Sequence, residues 1–118
     1  MRVLVAFDDT YRSYRAAIVQ AIKYHRPHFV VLDAVLRELE AALQRFDPHA
    51  VVCSHPRAEY PSAGKEAWIE LPAEPLWSGD ICIGGEHEGV VTLVLREVLS
   101  VLDETEERLR RRALAQRC

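Results

Sequence analysis

Three short apolar runs constrain the fold of this chain more than any other feature of its sequence. They occupy residues 3–7, 28–32 and 50–54. Runs of this length are typical of strands that are buried on both faces of a parallel sheet. Between them, apolar residues recur at the spacing of an amphipathic helix through residues 11–25 and 33–46. The order strand, helix, strand, helix, strand predicts an α/β protein with right-handed crossovers.

The ends of the two predicted helices are marked by residues that interrupt or begin helical hydrogen bonding. Pro27 follows the first helix and Pro48 follows the second, and proline has no N–H with which to continue a helix. Asp33 is predicted to be the N-cap of the second helix. The face of the first helix that is predicted to be buried carries Tyr14, Ala17, Ile18, Ala21 and Ile22.

The second half of the chain is less regular. Residues 55–67 contain two prolines and a glycine without helical spacing, which predicts a loop. Residues 68–71 and 81–83 are predicted strands, and the nine residues between them are too few for a helical crossover. These strands are therefore expected to be antiparallel neighbours, unless one of them is an irregular edge. We predict a single three-layer domain over residues 1–118, with a mostly parallel sheet of about five strands.

A long helix is predicted from Gly89 to the end of the chain. Val90, Leu93 and Leu95 lie partly off its apolar stripe, which favours an interface with a partner, and we favour a second copy of the chain. Five arginines fall within the basic end, residues 108–118. They suit either an acidic partner or a solvated helix end, and we favour the solvated end. The predicted i,i+4 ion pairs are Glu104 with Arg108, Glu106 with Arg110 and Glu107 with Arg111.

Composition excludes several classes of function. The net charge of −3 gives no general attraction to nucleic acid or anionic lipid. The first apolar run is too short for the hydrophobic region of a signal peptide, and the longest one, residues 90–95, is far too short to cross a membrane. We expect a cytoplasmic protein without nucleic-acid or membrane partners.

Polar residues and glycines follow the predicted strands. Asp8 and Asp9 end the first strand, Ser54 ends the third and is followed by His55, and Gly84 and Gly85 follow the fifth. Because sites in open parallel sheets form at the carboxyl ends of strands, these residues are expected along one edge. The two carboxylates could bind Mg²⁺ or cap the following helix, and capping is the interpretation we favour.

Residues 2–54 resemble the first half of a response-regulator receiver domain, through "RVLVAFDDTYRSYRAAI" and "FDPHAVVCS". In that family an acid pair ends the first strand, and a phosphate-accepting aspartate ends the third strand some 45 positions later. Here the interval from Asp9 to Ser54 is 54 − 9 = 45 positions. The resemblance implies a flavodoxin-like fold with strand order 2-1-3-4-5, at least for the first three strands, and a remnant receiver site at Asp8, Asp9 and Ser54.

The departures from the receiver pattern bear on function. Ser54 has no carboxylate to form an acyl phosphate, no lysine follows residues 81–83, and no serine or threonine follows residues 68–71. The chain is therefore expected to be a pseudo-receiver: a regulatory or protein-interaction domain, not an enzyme, that binds Mg²⁺ weakly or not at all. Its partner is expected to be a second copy or another signalling protein. The arrangement "RFDPHAVVCS…WIELP…ICIGG" also resembles that of a small bacterial family, and this resemblance implies no further function.

The alternative class is a small-ligand, nucleotide or metal-binding protein. In "CIGGEHEG", Gly84, Gly85 and Gly89 stand between a strand and a predicted helix, as in loops that bind phosphate, and resemble the glycine-rich turn of nucleotide-binding universal stress proteins. Glu86 and Glu88 would repel an anion there, so a structural turn is the interpretation we favour.

Reactive side chains suggest two further sites. A soft metal site could form from Cys53, His55, Cys82 and His87 together with the two acids. A cysteine in an apolar strand is, however, more often a core residue. Nucleophilic catalysis by Ser54 is disfavoured because adjacent residues in a strand, such as Ser54 and His55, point to opposite faces.

Overall fold

The structure is a computed structural model that describes residues 1–54, 67–71, 79–90 and 95–111. It contains one six-stranded sheet with the strand order β2-β1-β3-β4-β5-β6. The strands are β1 Arg2–Phe7, β2 Val30–Val35, β3 Ala50–Cys53, β4 Ala67–Glu70, β5 Gly79–Ile83 and β6 Glu86–Val90. The helices are α1 Arg12–His25, α2 Leu39–Phe46 and α3 Leu95–Arg111, with short 3₁₀ turns at Asp9–Tyr11 and Leu36–Glu38.

The first half of the chain confirms the predicted alternation of strands and helices. β1 pairs in parallel with β2 on one side and with β3 on the other, and β4 continues the parallel sheet beside β3. The continuous apolar runs of β1 and β3 are buried because these strands have neighbours on both sides and helices on both faces. The protein is α/β with a mostly parallel sheet.

Two apolar layers hold the helices against the two faces of the sheet. Alternate side chains of the strands, beginning with Val3, pack with α1 and α3 on one face. The intervening side chains, beginning with Leu4, pack with α2 on the other. This division follows from the alternation of side chains along a strand, and it confirms the predicted three-layer arrangement.

The buried face of α1 differs from the predicted one. The helix buries Arg15, Ile18, Val19 and Ile22, whereas Tyr14 is partly exposed. The buried stripe is thus rotated by about one residue, because Val19 is more apolar than the alanines of the predicted face and takes their place against the sheet. A charged residue, Arg15, lies on that stripe.

The second strand is longer than predicted and changes the role of Asp33. β2 continues to Val35, so Asp33 lies within a strand, and the prediction that it caps a helix is wrong. α2 begins at Leu39, after the Leu36–Glu38 turn. Pairing of β2 with the whole length of β1 extends the strand beyond its most apolar part.

The fourth and fifth strands are antiparallel neighbours, as one of the two sequence interpretations predicted. The segment after β5 differs from prediction, because Gly84 and Gly85 form the two-residue turn of a hairpin whose second strand is β6. Both glycines have positive φ, 56° and 87°, which is the combination that a type I′ turn requires. The sheet therefore has six strands where about five were predicted.

α3 begins later than predicted because Gly89 and Val90 belong to β6. Val91, Leu93 and Val94 lie outside the described residues. Within α3 the buried side chains are Val98, Leu99, Val101, Leu102 and Thr105.

The three predicted i,i+4 ion pairs of α3 are confirmed, with nitrogen–oxygen distances of 3.8, 3.5 and 3.0 Å in chain order. Residues 108–111 of the predicted basic end are helical, and residues 112–118 lie outside the described ranges. In the described parts of the chain, no helix has the length and apolar character needed to cross a membrane.

Charged pairs connect α3 to the end of α1 and the start of β2. Arg26 Nε and Nη2 each donate a hydrogen bond of 2.7 Å to the carboxylate of Asp103. His28 Nε2 lies 3.2 Å from the carboxylate of Glu106. These contacts join residues 77 and 78 positions apart in the chain.

The Arg26–Asp103 pair predicts a pH dependence of stability. Its hydrogen bonds lower the pKa of the Asp103 carboxyl. Because the folded-state pKa lies below the unfolded value of about 4, the pair stabilises the fold at neutral pH and this contribution is lost as the pH falls through the folded-state pKa. Asp103→Asn should therefore be less stable than the wild type at pH 7, and the difference should narrow in acid.

Urea unfolding at neutral and acidic pH measures this difference. Glu104→Gln is the matched control, since it changes only a surface i,i+4 pair on the same helix. If the difference in free energy of unfolding between Asp103→Asn and the wild type stayed constant with pH, the ionised Asp103 carboxylate would not be the source of the stabilisation.

Candidate functional site

The carboxyl ends of β1 and β3 bring the predicted remnant receiver site together. Cys53 pairs with Ala6, so Ser54 lies level with Phe7 on the neighbouring strand. Asp8 and Asp9 follow Phe7 directly. The acid pair and Ser54 therefore belong to the same edge of the sheet, on adjacent strands about 4.8 Å apart.

Asp8 caps the turn that leads into α1. Its Oδ1 accepts hydrogen bonds from the backbone N–H and the hydroxyl of Thr10, at 3.0 and 2.9 Å. A carboxylate in this position satisfies an N–H group that the turn leaves free. For Asp8, the favoured capping interpretation is confirmed.

Asp9 lies between two arginines. Its carboxylate is 3.7 Å from Arg15 Nη1 and 3.8 Å from Arg37 Nη1. Arg15 reaches it from α1, whereas Arg37 comes from the turn between β2 and α2. The negative charge of Asp9 is thus balanced by cations of the protein itself.

Arg15 is the buried centre of this group of charges. Only 9% of its side chain is exposed, and Nη1 donates a hydrogen bond of 3.0 Å to the carbonyl oxygen of Phe7, the last residue of β1. Nε lies 3.0 Å from Asp33 Oδ1 in β2, close enough for a charge contact, but its N–H has no aligned hydrogen-bond partner. The guanidinium therefore connects β1 to β2 and contacts the carboxylates of Asp9 and Asp33.

The phenol of Tyr14 lies beside this cluster. Its ring packs edge to face on Phe7, with ring centroids 5.3 Å apart. Burial raises the pKa of the Tyr14 phenol, so it remains a neutral hydroxyl at physiological pH. It contributes apolar contact to the end of β1 and no charge.

The chemistry of this edge differs from that of a magnesium site. A divalent cation needs several oxygen ligands with excess negative charge. Here the guanidinium of Arg15 already occupies the space between Asp9 and Asp33. Within the described ranges, no cluster of three or more His, Cys, Asp or Glu side chains is suited to hold a metal ion.

Sequence reasoning missed Arg15, although a signal for it was present. Arg15 precedes Ile18, Val19 and Ile22 by three, four and seven positions, the spacing of one helix face. A charged residue on an apolar stripe requires a partner at the end of the sheet, and the nearest predicted partners are Asp8 and Asp9. The contact between Arg15 and Asp33 was not predicted, because Asp33 was assigned as the N-cap of the second helix and not to a strand.

The glycines do not join the acid pair, and the expectation of a common edge is wrong for them. Ile83 pairs with Ala67, which is level with the first residues of the parallel strands. Since β5 is antiparallel, the Gly84–Gly85 turn lies at the opposite edge, about 20 Å from Asp8 along the strands. Gly89 pairs with Asp80 near the carboxyl edge, but β6 is four strands from β1, a separation of about 19 Å.

The register also separates the two cysteines of the suggested metal site. Cys53 and Cys82 are both buried on the α2 face of the sheet. Cys82 pairs with Trp68, which is level with Val51, so the cysteines lie two strands and two residues apart, about 12 Å. Thiolates of one tetrahedral zinc site lie within about 4 Å of each other, so these two cannot share an ion. His55 lies outside the described residues.

A cleft of about 390 Å³ lies elsewhere, between the end of α1 and α3. The Arg26–Asp103 pair contributes to its wall, and Leu95, one of the predicted interface residues, lines it and is 37% exposed. Because α1 starts at the carboxyl edge and runs back along the sheet, this cleft is at the end of α1 far from Asp8. It therefore does not extend the candidate site.

Comparisons of the chain with protein-family models, curated proteins and solved structures give no match.

Proposed function

We propose that this protein is a receiver-like domain without phosphotransfer chemistry, a pseudo-receiver that acts through contacts with other proteins. The observation that carries the proposal is the position of Arg15, whose guanidinium lies 3.7 Å from Asp9 and 3.0 Å from Asp33. A receiver would require a divalent cation at the corresponding edge.

The strand order supports the receiver-like, flavodoxin-like part of the proposal. β2, β1, β3 and β4 are adjacent and parallel in the order 2-1-3-4. The fifth strand departs from the pattern because it is antiparallel. Its amino end, at Gly79, is the end that lies at the carboxyl edge of the parallel strands. Even a lysine placed after Ile83 would therefore lie at the wrong edge to contact a phosphoryl group.

The loss of chemistry then has three independent physical causes. Ser54 offers a hydroxyl, which cannot form the acyl phosphate of an aspartate. Arg15 and Arg37 neutralise the charge that would attract a cation. The reversed fifth strand removes the position from which a lysine would contact phosphate. We infer that the remaining role of such a domain is recognition by a partner.

Beryllofluoride, which mimics an aspartyl phosphate, tests the proposal. Amide NMR spectra of the wild type in the presence of Mg²⁺ should remain unchanged on addition of beryllofluoride, with no saturable shift at the ends of β1 and β3. Ser54→Asp should behave in the same way, because the added carboxylate does not displace Arg15.

A phosphorylatable receiver domain, treated in parallel, is the positive control. Inorganic fluoride without beryllium serves as the control for salt effects. A saturable, beryllium-dependent shift at residues 8, 9 or 54 of the wild type would overturn the proposed function.

A further inference from the structure

Within the described residues, the sheet ends in β2 on one side and in β6 on the other. β6, at one end, has the sequence "EHEGV", which carries two glutamates and a histidine. β2, at the other end, has the sequence "VVLDAV" and pairs with β1 over six consecutive residues without a bulge. Exposed edges are normally blocked by lysine, proline, bulges or charges, because an open edge invites another strand. β2 lacks lysine, proline and bulges.

The outward groups of β2 can be assigned from its pairing. The N–H of Val30 donates to the carbonyl of Met1, so Val30 faces β1 through its backbone. Since successive residues of a strand turn their backbone groups to alternate sides, those of Val31, Asp33 and Val35 point away from the sheet. The single charge of the strand, Asp33, lies 3.0 Å from Arg15 Nε, so its charge is balanced within the same copy.

The side chains beside this edge are apolar and exposed. Val30 is 57% exposed and Leu32 is 37% exposed. They project to the α2 face of the sheet together with Ala34, which packs partly against that layer. Among the described residues no strand pairs with the outer side of β2. A strand edge of this kind, flanked by exposed aliphatic side chains, is the arrangement that strand addition uses.

We propose that β2 pairs with β2 of a second copy of this chain, antiparallel about a two-fold axis at Leu32, to form a continuous twelve-stranded sheet. In this register the backbone of Val31 bonds to that of the partner subunit's Asp33, and the reverse contact repeats it. Leu32 meets its own counterpart as a close, non-hydrogen-bonded pair, and Val30 lies opposite the partner subunit's Ala34.

This register is favoured over its neighbours by hydrogen bonding and charge. An axis at Val31 would need the N–H of Phe29, which already donates to the carbonyl of Arg26. An axis at Asp33 would place two carboxylates directly opposite each other. The axis at Leu32 avoids both costs, and it aligns the exposed aliphatic side chains of the two copies.

The inference names the partner for the interaction role proposed above and rests on that role. Only one strand of each copy takes part in the contact, so we expect a weak, reversible dimer. Sedimentation velocity between about 5 and 500 μM should accordingly show a monomer–dimer equilibrium.

Charge changes at Leu32 are the direct test. Leu32→Lys and Leu32→Glu should each raise the dissociation constant at least tenfold, because like charges meet at the axis. An equimolar mixture of the two variants should dimerise again, since an ammonium of one copy then faces a carboxylate of the other. Leu95→Glu is the matched control on α3, and it should leave the dimer intact. Circular dichroism of each variant verifies the fold, and Leu32 tolerates the change because it is partly exposed.

Cross-linking tests the register. Leu32→Cys should form an intermolecular disulfide under mild oxidation, because the Cα atoms of a non-hydrogen-bonded pair are within the range that a disulfide spans. Val30→Cys, on the same face, should not, since its counterpart lies about 13 Å away. A wild type that is monomeric at every concentration, or a dimer that Leu95→Glu dissociates and Leu32→Lys does not, overturns this inference. Neither result changes the beryllofluoride response, which tests the proposed function separately.

Discussion

Replacing Arg15 by methionine is expected to lower the free energy of unfolding by about 2–3 kcal/mol, an effect that a surface arginine does not produce. Methionine preserves most of the apolar length of the side chain. The change removes the hydrogen bond to the Phe7 carbonyl and leaves Asp9 and Asp33 without their buried cation. About half of each carboxylate side chain is exposed, so water compensates part of the loss and keeps the effect below that of a fully buried pair.

Denaturant unfolding of Arg15→Met measures this effect, with Arg12→Met as the matched control, because Arg12 lies on the same helix and is exposed. The control should change stability by less than about 0.5 kcal/mol. Arg15→Lys should fall between the two, because an ammonium keeps the charge but lacks the planar fork. If Arg15→Met and Arg12→Met were equally stable, Arg15 would not be the centre of the charge cluster, and the main observation behind the proposed function would be lost.

Replacing Leu102 by alanine is expected to cost about 3–4 kcal/mol. Leu102 is completely buried in the apolar layer between α3, α1 and the sheet. Removing its methyl groups leaves a cavity that the surrounding β strands are too closely packed to fill. An effect of this size requires α3 to be a structural layer of the domain.

Leu95→Ala provides the control for Leu102→Ala on the same helix. Leu95 is partly exposed, so its truncation should cost less than about 1 kcal/mol. Chemical denaturation of both variants gives the comparison, with the slope against denaturant showing whether unfolding stays cooperative. Equal and small effects would mean that α3 is not firmly packed on the sheet.

The elements with strong local signals could be predicted from the sequence. β1 and β3 are continuous apolar runs, and α1 has clear helical spacing that ends just before Pro27. The prediction that Asp8 caps the following turn also depends only on neighbouring residues. These features follow from local propensity and periodicity, which act over a few positions of the chain.

The errors share a different physical origin. The extension of β2 to Val35 depends on how far β1 extends beside it, and this made Asp33 a strand residue. The Gly84–Gly85 turn could lead to a helix or to a strand, and the neighbouring strand β5 provided an edge on which β6 could pair. In both places the local pattern was compatible with two structures, and pairing with a neighbouring strand of the sheet selected one.

The sequence by itself determined the α/β class, the parallel arrangement of the first three strands and the adjacency of Asp8 and Ser54. These follow from apolar periodicity and from the shared edge at which parallel strands end. Only the tertiary structure decided the direction of β5, the edge at which the glycines lie and the contacts of Arg15 with Phe7, Asp9 and Asp33. These features depend on which strands become neighbours in space. A buried guanidinium needs acceptors, and the tertiary structure decides which residues lie close enough to provide them.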